Sequence, residues 1–193
     1  MRYGSLQLGS GLGRSACALR RTERGRADGM TDDIDVERAS LVDWLGGQRE
    51  HVLGILEGLD AAQLRREMLP SGWSLAGLVQ HLALDVEHYW FRCIIGGESL
   101  DSLADGDHWK LADGVDALSV LSLYREEIAR SDAVIAATPL AQAPAQRDPW
   151  WGDWDVPDLR FVLLHVIAET ACHAGHLDAA RELLDGRQRL VLG

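Results

Sequence analysis

Apolar residues recur at helical intervals along four stretches of this chain, and no stretch alternates with period two for long enough to make a sheet. From about 37 to 59 the apolar positions are Leu41, Trp44, Leu45, Val52, Ile55, Leu56 and Leu59, with charges on the other face. Gly46-Gly47 weakens this helix locally, and Leu69-Pro70-Ser71-Gly72 breaks the chain. A second helix is predicted from Ser74, a good N-cap, to about Ile94, with Leu75, Leu78, Val79, Leu82, Val86, Tyr89 and Trp90 on its apolar side. Residues 96–113 are acidic and contain Gly, so they read as a long connection between helices two and three. The third helix spans about 115–137, with Leu118, Leu121, Tyr124, Ile128 and Ile135 inward, and Pro139 and Pro144 end it. A Trp-rich loop follows, from Asp148 to Trp154. The fourth helix starts near Pro157-Asp158 and ends at Asp185-Gly186, where Gly is suited to a C-cap. Four helices of about 20 residues predict an all-α, antiparallel four-helix bundle.

Residues 1–29 stand apart from this pattern. They hold six Arg and six Gly against only Glu23 and Asp28, and show no amphipathic period. At Met30 the composition turns to Thr31-Asp32-Asp33-Ile34-Asp35, an acidic helix start. The expectation is a disordered basic tail, or upstream sequence from a misassigned start, followed by one domain over 30–193. An Arg-rich transit peptide is the rival reading.

The whole chain has 193 residues and a formal charge of -11. A surface this acidic argues against non-specific nucleic acid binding and against an anionic membrane as partner. The three cysteines, Cys17, Cys93 and Cys172, are scattered and odd in number, so no disulfide framework is implied and a cytoplasmic location is the simpler reading.

Candidate chemistry gathers on the fourth helix. His165, Glu169 and His173 fall at i, i+4 and i+8 within an otherwise apolar run, and therefore share one face. An ionised Glu buried there costs several kcal/mol unless a metal ion or a cation meets it. His165 and His173 are separated by about 12 Å along the axis, too far to bind one ion whose ligands stand about 2 Å away. A single metal would take His165 with Glu169, Glu169 with His173, or His173 with His176, plus a ligand from elsewhere. His81 on the second helix offers that ligand, with Asp85 and His88 at i+4 and i+7, and Gly77 one turn earlier leaving room beside the imidazole. Two His and one carboxylate with an open position make a catalytic type of site.

Each residue also has a plainer reading. His165 reads as a satisfied core histidine, Asp85 as a group that orients a ligand, and His88 as a solvated residue beside Glu87. His51 and His108 carry no signal in their polar surroundings. Cys172 reads as a structural thiol, residues 96–116 as a solvated loop, and the Trp cluster as loop packing whose exposed part lines a pocket mouth.

Three segments carry a resemblance: Ser71-Gly-Trp73 through His81, Val86-Glu87-His88-Tyr89-Trp90-Phe91, and Leu159 through Asp178 with Arg181-Glu182. Over about residues 34–186 the chain resembles the DinB/YfiT-like metal-binding four-helix bundles, and more narrowly the actinobacterial branch related to mycothiol-dependent maleylpyruvate isomerase. That resemblance implies a divalent metal, zinc or else nickel, held by His81, Glu169 and His173. It also implies use or transfer of a low-molecular-weight thiol such as mycothiol. The chain stops soon after the fourth helix, without the additional C-terminal domain of the isomerase, so maleylpyruvate isomerisation itself is not expected.

The function expected is a metal-dependent thiol transferase or isomerase-like enzyme acting on a small molecule, with His165 or Asp85 as the nearby base. A non-catalytic metal or small-ligand binder is the alternative. A purely structural bundle with Glu169 paired to Arg160 or another cation is the third reading. Bundles of this kind often associate through helix faces, which leaves a homodimer open.

Overall fold

The computed structural model describes residues 15–103 and 106–189, with side chains from 33 onward. Among these the secondary structure is helical, and no strand forms beyond one isolated bridge between Glu67 and Ser74. The helices are α1 (Ser15–Ile55), α2 (Ala61–Leu64), α3 (Leu75–His81), α4 (Ser119–Ala137) and α5 (Leu159–Asp185). The chain divides into two units, Met1–Ser40 and Leu41–Gly193. In the first, α1 begins at Ser15, well before the expected position near 37. Residues 1–14 of the basic tail, and the side chains of the remainder, lie outside the described residues. All that follows concerns the second unit.

Helix boundaries follow local chemistry. Ser74 accepts from the Gly77 amide and starts α3. Asp158 accepts from the Phe161 amide at 2.9 Å and starts α5. Gly186, at φ 78°, takes the left-handed conformation that ends α5. Arg181 reaches from α5 to the carbonyl of Ile55 at 2.7 Å and that of Glu57 at 3.1 Å, satisfying acceptors that the end of α1 leaves open.

The second predicted helix departs most from expectation. After His81 the α3 rod continues as a π-helix over Leu82–Ile95. Its hydrogen bonds span five residues, so side chains five apart stand nearly above one another. Leu82 with Glu87, Val86 with Phe91, and Trp90 with Ile95 all become buried. Glu87 and His88, expected on the solvated face, are turned inward. Glu87 is 0% exposed and Arg49 of α1 meets it with two 2.7 Å hydrogen bonds, while the same guanidinium reaches Asp132 of α4 at 2.7 Å. Beside this cluster Arg92 bridges Glu98 and Glu127.

The core is built from Leu45, Val52, Ile55 and Leu56 of α1, the inward side of α3 and its π extension, Val120, Tyr124 and Ile135 of α4, and Leu159, Val162, Leu163, Val166, Ala174, Leu177 and Ala180 of α5. Two expected core residues are instead exposed, Trp44 at 66% and Leu118 at 45%. The fourth predicted helix is not buried over most of its girth. Leu164, Ala168, Ala171, Cys172, Gly175 and Ala179 all face solvent, so Cys172 is not a buried structural thiol.

Gly77 has a more specific role than the space expected beside an imidazole. A Cβ there would collide with the backbone carbonyl of Trp109. The glycine lets the 96–118 connection lie directly against α3, where Gln80 Nε2 donates to the carbonyl of His108 at 3.0 Å. Gly77→Ala is expected to cost about 1–3 kcal/mol by overpacking, read as a lower urea midpoint.

Candidate metal centre

His81 is the last residue of α3 before the π-helix, and Glu169 and His173 lie one turn apart on α5. Packing of α3 against α5 brings them together. One donor atom from each lies within 4.8 Å of the others. His173 Nε2 is 3.2 Å from Glu169 Oε1, and His81 Nε2 is 3.9 Å from the same oxygen. Ligands 2.0–2.2 Å from a tetrahedral ion stand roughly 3.3–3.6 Å apart, so these separations straddle what one ion needs.

The protonation pattern suits a metal as well. His81 Nδ1 lies 2.8 Å from Asp85 Oδ2. A carboxylate only accepts, so Nδ1 carries the proton and Nε2 keeps its lone pair. That Nε2 is buried and has no hydrogen-bond partner. An orphaned acceptor in the interior costs about 1–3 kcal/mol unless something electropositive meets it. The residues present therefore fit a divalent ion, and the trio His81, Glu169 and His173 could hold one. Burial, with the neighbouring His81, lowers the pKa of His173 against the pull of Glu169, so its ring is held neutral, and an ion would take the place of the proton now shared between Nε2 and Glu169.

Groups around the trio orient it. Asp85 Oδ1 also takes His108 Nδ1 at 2.6 Å, so one carboxylate joins two imidazoles. Burial opposes its charge, but the hydrogen bonds from His81 and His108 outweigh burial and hold its pKa below the ordinary carboxylate value. Trp109 stacks on His81, ring centroids 4.0 Å apart and 20° from parallel. His176 Nδ1 approaches His173 Nδ1 at 3.3 Å, on the side of the ring away from Glu169. His165 stands one turn before Glu169, its ring 4.6 Å from Trp90 and 5.7 Å from Trp154, and burial lowers its pKa.

His108 and Trp109 lie in the acidic connection that read as solvated. The one signal was an aromatic pair inside an otherwise acidic run, and only the fold shows where it docks. His51 also has a place, 2.7 Å from Asp178, tying α1 to α5. His88 is buried, with Nε2 3.1 Å from Ser102 Oγ. The imidazoles nearest Glu169 are those of His173 and His81, whereas Arg160 meets Asp158 at 3.1 Å.

The chain was compared with known proteins. A family model described as Mycothiol-S-transferase matches residues 40–186. No curated protein and no solved structure matches it.

Proposed function

The chain belongs to the mycothiol-S-transferase family, a DinB/YfiT-like group, and from that premise we propose that it is a divalent-metal enzyme joining a low-molecular-weight thiol to a small electrophile. The observation that carries this reading is the buried, partnerless His81 Nε2 facing Glu169 and His173. His81, Glu169 and His173 are the ligands in this proposal, and zinc is the metal that best suits two imidazoles and one carboxylate with an open position. Zinc held there would lower the pKa of a thiol or water beside it.

The protein's own groups do the rest. Asp85 fixes the tautomer and angle of His81, as a carboxylate behind a ligating imidazole does. With two imidazoles on its two oxygens, it serves the reaction best as a positioning residue. His165, kept neutral by burial, would take the proton as the thiol becomes a thiolate, and the sulfur then bonds to the electrophilic carbon as its leaving group, chloride in the test substrate, departs. Trp109 packs on His81, and Trp90 and Trp154 on His165. The helical rods of residues 41–189 act in this proposal as a four-helix bundle supporting the site, within a domain that starts near Met30.

The test is turnover of mycothiol with chlorodinitrobenzene by zinc-loaded protein against a metal-stripped control. Metal-dependent conjugation is expected, and the chain begun at Met30 is expected to retain it. Absence of metal-dependent turnover with any thiol would leave a metal-binding protein without this activity. No described helix is long and apolar enough to cross a membrane.

A further inference from the structure

Next to the metal centre lies a second feature, a cavity that shares Asp85, Trp90 and Trp154 with its surroundings. Asp85, Tyr89, Trp90, Asp148, Trp151 and Trp154, with Trp150 at the rim, line a cavity of about 250 Å³. That is below the roughly 300–1,000 Å³ of ordinary small-molecule pockets, so it takes a compact head group. Asp85 belongs to both places, lining the cavity and holding His81.

The walls are prearranged. Trp151 Nε1 donates to Tyr89 Oη at 2.7 Å, and Tyr89 donates to Asp148 Oδ2 at 2.9 Å. Asp148 Oδ1 accepts from the Trp150 amide at 2.9 Å. Trp154 stands at 88° to Trp90 and 70° to Trp151, so the indoles form a corner. Trp90 and Trp151 are near parallel but stack on each other at 5.5 Å, which leaves no slot between them for a flat ring. Trp150 is 87% exposed, an indole free to close over an occupant.

Charge selects the occupant. The lining carries two carboxylates and no Lys, Arg or His. An anion would face both acids, and a neutral apolar ligand would gain nothing from them, since each already keeps its own hydrogen bonds. A compact cation is favoured by the ring faces and by the acids together. Trp151 already draws one cation, the Arg147 guanidinium, 5.9 Å from its ring centre, where Arg147 is tied to the carbonyls of Gly152 and Trp154.

We propose that this aromatic corner is a binding site for an alkylammonium group, quaternary or fully substituted, carried by a small ligand. That the ligand is the electrophilic partner in thiol transfer rests on the preceding functional reading; the cation site itself does not.

The test uses choline and its neutral isostere 3,3-dimethylbutan-1-ol, titrated into the full chain by calorimetry and indole fluorescence, with and without zinc. Choline is expected to bind at least about tenfold more tightly than the alcohol. Trp150→Ala, at a largely exposed position, and Asp148→Asn are each expected to weaken choline severalfold while leaving zinc content and the thermal midpoint unchanged. Binding of choline is also expected to survive in His173→Ala, which separates this site from the metal centre. Equal or tighter binding of the alcohol, or choline affinity unmoved by both variants, overturns the proposal. Choline binding without thiol turnover keeps the cation site and removes only its link to the reaction.

Discussion

His173→Ala is expected to empty the metal centre. Protein purified with zinc supplied should carry about one ion per chain, and the variant should fall to background by elemental analysis. The ion would be left with one imidazole and one carboxylate that is 37% exposed, too few donors to hold it against water. Asp85→Asn probes the same centre more gently. It keeps all three ligands but weakens the group that orients His81, and about a 10–100-fold loss of zinc affinity is expected. Acid should act in the same direction as His173→Ala. Protons compete for His173 as the pH falls, and because burial holds its pKa below the ordinary histidine value near 6.5, zinc is expected to be retained at neutral pH and released only below that value. Chelator should lower the thermal midpoint of wild type, because an ion that binds only the folded chain stabilises it, and should leave His173→Ala unmoved. Zinc retained at one ion per chain by His173→Ala would place the metal elsewhere and remove the basis for the proposed enzyme.

The second large effect is on stability. Arg49→Met leaves Glu87, 0% exposed, without the guanidinium that grips both its oxygens. Breaking a buried pair from one side costs about 3–5 kcal/mol, a large share of the roughly 5–15 kcal/mol that keeps a domain folded. Urea unfolding should show a sharply lower midpoint at unchanged slope. The double variant Arg49→Met with Glu87→Leu should recover most of the loss, because it leaves no unpaired buried charge. Burial alone would lower the Arg49 pKa, but the Glu87 and Asp132 charges raise it, so the cation is present at any working pH. A loss below about 1 kcal/mol in Arg49→Met would show that water reaches Glu87, and the account of a buried pair would fail.

The two predictions divide the polar interior into parts with different roles. Arg49, Glu87 and Asp132 are paired with one another and ask for no ligand. His81 Nε2 has no partner. A buried cluster that satisfies itself reads as architecture, and one that leaves a donor set open reads as a site.

Residue identity and spacing settled the all-helical class, the caps at Ser74, Asp158 and Gly186, and the shared face of Glu169 and His173, because these depend on neighbours within a turn or two of the chain. The pairing of His81 with that face was legible through family resemblance. The sequence period could not show that the rod after His81 widens into π turns, since the same apolar residues suit a 3.6-residue repeat. That widening is what buries Glu87 and His88 and requires Arg49. Nor could it show that His108 and Trp109 return across a long connection to Asp85 and His81. Those contacts join residues 23 or more positions apart, and only the packing of whole elements decides which distant polar groups meet.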